Sequence, residues 1–240
     1  MRPFGELDDP RRRILIQALA AGFFSGAGTA AAQIFGRSPG PLPAGQSIYR
    51  VSGATVNNVA ATLQTRIKPG DTVETAANGE IVFAVAEEAF LLRGGSRMVI
   101  EQPPARSGLV TAMRLVTGKV LSVFGKGRPT RIVTATSTIG IRGTGLYAET
   151  DPEQTYFCTC YGVTDVVANS DPTSKDTVVA THHDKPLYIL AKGKEGERIR
   201  RAPFINHTDQ ELMLIESLVG RTPPFVFPRE NYNAPRREYP

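Results

Sequence analysis

Two cysteines and three histidines are all the thiol and imidazole in this 240-residue chain. No His-Glu-x-x-His occurs, and the acidic residues are scattered along the chain. Glu87-Glu88 reads as a solvated turn tip. Asp165, Asp171 and Asp176 lack the spacing of a calcium loop. Without a nucleophile–base pair, paired carboxylates or a recognised metal motif, the chain reads as a protein that is not an enzyme. The formal net charge is only +5, and no basic block stands beside an aromatic platform, so the footprint of a nucleic-acid binder is missing. After residue 32 no apolar run approaches the roughly 20 residues that a membrane span needs. Before residue 208, and apart from the N-terminal segment, no stretch sustains helical periodicity.

What is present begins with an address. The chain opens MRPFGELDDPRRRILIQALAAGFFSGAGTAAAQIF. Arg11, Arg12 and Arg13 precede an uncharged run from Ile14 to Ala32, which ends in Ala30-Ala31-Ala32, a small-x-small cleavage site before Gln33. Arg11-Arg12 followed by Arg13, Ile14 and Leu15 resembles a twin-arginine export signal. Ile16 stands where that signal usually has Lys, which leaves the general secretory route open. The glycines and the Ala-Ala-Ala end favour cleavage over a retained anchor. Residues 1–32 are therefore expected to be removed. About 208 residues of net charge +4 would remain, with no stable membrane span, in a periplasmic or secreted location. That is enough for one sizeable β-rich domain.

Residues 33–47 are Pro/Gly/Ser-rich and read as a linker. From 48 to 168 the chain reads as many short strands separated by turn signals at Pro69-Gly70-Asp71, Asn78-Gly79, Gly94-Gly95 and Gly125-Lys126-Gly127. Asn-Gly in particular predicts a hairpin, because both central residues of a type I′ turn need positive φ. Ile81, Phe83 and Val85 alternate with the apolar Val82, Ala84 and Ala86, which predicts a strand buried on both faces. Residues 169–205 read as a loop and strand extension. Within 206–222, Thr208 and Glu211 spell a capping box, Leu212, Ile215 and Val219 share a face, and Gly220 supplies a stop. This predicts a helix over 209–219. Residues 223–240 read as an extended or disordered tail. The expected fold is all-β, many short strands in a sandwich or short β-solenoid-like domain, with one C-terminal α-helix.

Several stretches carry a family resemblance. "GDTVETA" at 70–76, "NGEIVFAV" at 78–85, "LRGGSRMVI" at 92–100 and above all "TIGIRGTGLYAE" at 138–149 resemble the FecR-type periplasmic domain. The resemblance runs over about half the chain and implies a non-enzymatic β-domain that binds or senses something. Its partner would be a periplasmic protein or cell-envelope ligand whose identity the family does not fix, in an oligomeric state the sequence leaves open. The signal-transducer role of some members is not expected to carry over, with ten residues before the twin arginines and no separate span. "GIRGTG" at 140–145 lacks the Lys-Ser/Thr of a phosphate loop and reads as a tightly packed β turn.

One constellation stands apart. Cys158, Cys160, His182, His183 and His207 all fall within 50 residues, and thiolate and imidazole are the donors that zinc, copper and iron prefer. On a strand, Cys158 and Cys160 share a face, with Cα atoms about 6.5–7 Å apart. That spacing suits two ligands of one ion and lies at the upper limit for a disulfide. Three readings stay open: a metal or redox site, two buried small residues, or a bridge. At the level of function, a binding, sensing or scaffold domain stands beside a metal-binding or redox protein.

Overall fold

The computed structural model describes residues 39–102, 112–127 and 129–225. The expected signal, the first part of the expected linker and residues 226–240 of the expected tail lie outside the described residues. Twelve strands form one sheet: β1 (Ile48–Val56), β2 (Val59–Ala60), β3 (Thr72–Val85), β4 (Glu88–Leu92), β5 (Arg97–Ile100), β6 (Ala112–Val123), β7 (Thr130–Val133), β8 (Ser137–Thr150), β9 (Gln154–Ala168), β10 (Asp171–Ala180), β11 (Leu187–Leu190) and β12 (Ile199–Arg201). One helix, α1 (Asp209–Leu218), follows them. Among the described residues, the all-β fold with a single C-terminal helix is as expected. Among the described residues no helix is long and apolar enough to cross a membrane.

Four long strands change partner halfway. β3 pairs with β5 through Thr72–Glu74 and with β4 through Ile81–Val85. Along β6 the neighbour switches from β5 to β4, along β8 from β7 to β6, and along β9 from β11 to β10. The sheet therefore doubles over into two layers, a sandwich whose corners are the midpoints of its own strands. Every pairing is antiparallel except β6 with β7. Phe83, Phe90, Leu146 and Phe157 of one layer meet Met98, Met113, Ile139 and Val166 of the other in a dry interior.

Three of the corners sit at glycine: Gly118 in β6, Gly143 in β8 and Gly162 in β9 have positive φ, as does Gly53 of β1, which faces the middle of β3. At Gly118 (φ +91°) an added Cβ would fall 2.4 Å from Ser96 Cα, so the bend needs both the left-handed backbone and the missing side chain. Two sequence expectations change here. Asn78-Gly79 lies inside β3 rather than in a hairpin. Residues 76–79 bulge opposite Gly53, and a Cβ on Gly79 would meet the Gly53 carbonyl oxygen at 2.3 Å. "GIRGTG" lies within β8 at its corner, and Arg142 pairs with Asp165 at 2.5 Å. Glu88 is also no solvated tip: it opens β4 and is buried.

The layer that holds β4 is apolar on its outer face as well. Val82, Leu91, Leu121, Val123, Tyr147, Tyr156, Cys158 and Cys160 point away from the sandwich interior and pack under Leu212, Ile215 and Leu218 of α1. Each of those three helix side chains contributes about 1.5–3 kcal/mol by burial. The expected double-sided burial of β3 holds, with Ile81 and Phe83 inside and Val82 toward the helix. Thr208 caps α1 in the expected capping box, and Gly220 (φ +70°) follows its end. The Leu42 amide donates to the Leu218 carbonyl at 3.0 Å, so the described end of the expected linker lies against the helix.

Candidate metal centre

Three separate chain segments converge at the N-terminal end of α1. The first is β9, whose alternation sends Phe157 and Thr159 inward and Cys158 and Cys160 toward the helix. Both cysteines are free thiols and completely buried.

The second segment is the turn after β10. Asp184 Oδ2 accepts from the Thr181 amide at 2.6 Å, the Thr181 hydroxyl at 2.9 Å and the His182 amide at 3.2 Å. The His183 amide donates to the Cys160 carbonyl at 2.9 Å. His183 sits in the left-handed region at φ +55°, a conformation that costs about 1–2 kcal/mol for an L residue. This turn drives the His183 ring under the helix. The third segment is the approach to α1, where Asn206 (φ +60°) turns the chain and His207 is fully buried. The His207 ring stacks on Tyr147, with centroids 4.5 Å apart.

The hydrogen bonds decide which nitrogens are free. His207 Nδ1 lies 2.7 Å from the Ile205 carbonyl oxygen. A carbonyl only accepts, so Nδ1 carries the hydrogen and the neutral ring leaves a lone pair on Nε2. His183 Nε2 donates to Asp209 Oδ1 at 3.0 Å, which leaves its Nδ1 free. Those two free nitrogens face each other at 3.1 Å, and His183 Nδ1 is also 3.5 Å from Cys158 Sγ. With Cys160 Sγ they form a set of four ligand atoms, all within 4.8 Å of one another. Two lone pairs at such a distance repel unless a proton or a metal cation lies between them.

Without a metal, charge separation fills that role. Burial opposes ionisation of Cys158, but hydrogen bonds from Cys160, His183 and His207 outweigh it and hold the thiol well below its ordinary value. Burial also works against charge on His183, yet Asp209 and Cys158 raise the ring to about 9. Burial, reinforced by Cys158, pushes the Cys160 thiol well above its ordinary value. The first two shifts favour a thiolate on Cys158 beside an imidazolium on His183.

Two of the ligand–ligand distances also fit a metal ion. Zinc bonds of about 2.0–2.1 Å to nitrogen and about 2.3 Å to sulfur, at tetrahedral angles, place two nitrogens about 3.3 Å apart and a nitrogen and a sulfur about 3.6 Å apart. The observed 3.1 Å and 3.5 Å lie close to both. Each histidine also directs its other N–H to a carboxylate or a carbonyl, which is the usual support of a metal-bound imidazole.

Four of the five expected residues, Cys158, Cys160, His183 and His207, are thus brought together. His182 stands one step away, its Nε2 3.0 Å from both oxygens of Asp209, and is partly exposed. Asp209 escaped the sequence reading. An acidic residue in the first helical turn is ordinary there, and only the fold places it on His183. Residues 36–40 spell Gly-x-Ser-x-Gly, but no helix follows among residues 39–47, so the strand–turn–helix context of a nucleophile elbow is missing there. Asp165 pairs with Arg142, Asp171 accepts from Thr173, Ser174 and Gly196, and Asp176 pairs with Lys185, so those three serve separate contacts.

No protein-family model matches this chain, and no curated protein does. Among solved structures, two crystal structures of a protein described as a "putative anti-sigma factor" from Parabacteroides distasonis ATCC 8503, at 1.65 and 2.50 Å resolution, are similar to it. Each is 11% identical with a TM-score of 0.44, covering 55% of this chain and 58% of that one. This chain therefore spans little more than half the length of the structures it resembles.

Proposed function

We propose that this protein is a non-catalytic β-domain of the binding or scaffold class, built around one tetrahedral metal ion of the zinc type. Cys158, Cys160, His183 and His207 hold the ion. One observation carries this reading: two imidazole lone pairs, each fixed by a hydrogen bond on the far side of its ring, point at one spot beside two buried sulfurs. A tetrahedral set of two sulfurs and two nitrogens suits zinc, and it also admits iron or copper(I), both soft enough for thiolate. All four ligands are buried, which leaves no coordination position for a substrate. A closed site of that kind is structural. The ion would tie β9, the 181–184 turn and the start of α1 into one unit. The FecR-like motifs support placing the domain among proteins that bind a periplasmic protein or a cell-envelope ligand.

Metal analysis of the full chain, purified without a polyhistidine tag, tests the reading. The expected content is one equivalent of zinc, lost in a Cys158→Ser/Cys160→Ser variant. A content below about 0.1 equivalent of zinc, copper or iron, with no gain on reconstitution, would overturn it, because a structural site retains its metal.

A further inference from the structure

We infer that metal occupancy latches the C-terminal helix: the segment from Phe204 to Arg221 is docked when the four-ligand site is filled and opens locally when it is empty. This rests on the metal reading above. The ligands are divided unevenly between two bodies. Cys158, Cys160 and His183 belong to the sheet and its turn, and the His183 amide is bonded to the Cys160 carbonyl. Only His207 comes from the segment that carries the helix. Asp209, on the same segment, supplies the carboxylate that orients His183. The ion would therefore bridge the sheet to the segment through His207 and Asp209.

The other tethers of the segment lie mostly nearer solvent. Arg93 donates to the Asn206 carbonyl and to Glu211, and Asn206 donates to Glu149. The Ile205 amide donates to the Tyr156 hydroxyl, and Tyr161 donates to Glu216 at the far end of the helix. All but the buried Tyr161–Glu216 bond exchange for water at small cost. Removing the ion has a different consequence, because two lone pairs and two sulfurs remain in a dry pocket. They face one another at 3.1 Å between the two rings and 3.5 Å between His183 Nδ1 and Cys158 Sγ. Moving the segment relieves this repulsion by hydrating His207 and Asp209. A ten-residue helix has little stability of its own once undocked. Opening would uncover Leu91, Leu121, Val123 and Tyr147, the apolar outer face of the sheet.

Hydrogen exchange on the full chain, zinc-loaded and after chelation, reads the latch directly, with zinc content measured on the same samples. Amides of 209–218 are expected to lose at least tenfold protection on chelation, while those of β3 and β6 keep theirs. Linkage adds a second arm, since docking and zinc binding must strengthen each other by the same factor. Ile215→Ala replaces no ligand but weakens docking, so it should lower zinc affinity about tenfold. Full zinc binding with unchanged helix protection and unchanged affinity in Ile215→Ala would reject the latch and leave the site standing. Equal loss of protection in helix and strands would reject it too, in favour of a general effect on folding. Failure to bind zinc at all would remove both the latch and the reading beneath it.

Discussion

With its Nε2–H held by Asp209, the His183 ring has one nitrogen left to offer, and that nitrogen faces Cys158 and His207. Asp209 thereby sets the tautomer, the ring orientation and the basicity of a proposed ligand without touching the ion itself. Asp209→Asn keeps the shape and hydrogen-bonding reach of the side chain but removes its charge. Outer partners of this kind typically change metal affinity 10–100-fold. The expected outcome is a loss of zinc affinity in that range, read by competition with a chromophoric chelator, with zinc still bound at one equivalent when saturated. An unchanged affinity would show that Asp209 serves only the helix start and the exposed pairing with His182. Residue types in this site were visible in the sequence, because all the histidine and cysteine of the chain lies within 158–207. Which nitrogen each ring offers was not, since that depends on the Ile205 carbonyl and on Asp209, both ordinary residues in their local context.

Strand elements show the same division. The parity of β9 was readable: Tyr156, Cys158 and Cys160 alternate with Phe157 and Thr159, and both sulfurs do share a face. The corners were not. A glycine required for close approach looks the same in sequence as one required for a hairpin, so Asn78-Gly79 suggested a turn where β3 only bulges around Gly53. Gly118→Ala tests the corner argument. Its Cβ would stand 2.4 Å from backbone at Ser96, on a left-handed residue in mid-strand. Strain and clash together are expected to cost about 3 kcal/mol or more, read as a lower urea midpoint. Gly95→Ala is the control: φ is +69° but nothing lies within 4 Å of the new Cβ, so only about 1 kcal/mol of backbone strain should appear. Equal effects of the two substitutions would mean that the corner tolerates a side chain.

The molecule as a whole carries two apolar layers of unequal security. The interior between the sheet layers is closed by strand pairing along β3, β6, β8 and β9, contacts that join residues far apart in the chain and left no local pattern to read. The outer layer is closed by one short helix, and the proposed ion sits where that helix begins. An ion bound only by the folded chain must stabilise it in proportion to the logarithm of its free concentration. Each tenfold rise in free zinc above the dissociation constant adds about 1.4 kcal/mol, which for a domain of this size raises Tm by about 3–6 °C. Thermal unfolding in zinc buffers spanning three decades is thus expected to climb by about 9–18 °C in the native chain. In Cys158→Ser/Cys160→Ser it should stay flat. If the helix opens before the sandwich, the chelated protein will show two transitions, a low one carried by the tyrosines beneath α1 and a high one by the strands. A single transition independent of zinc would mean that the buried thiols and imidazoles are held together by packing and protons alone.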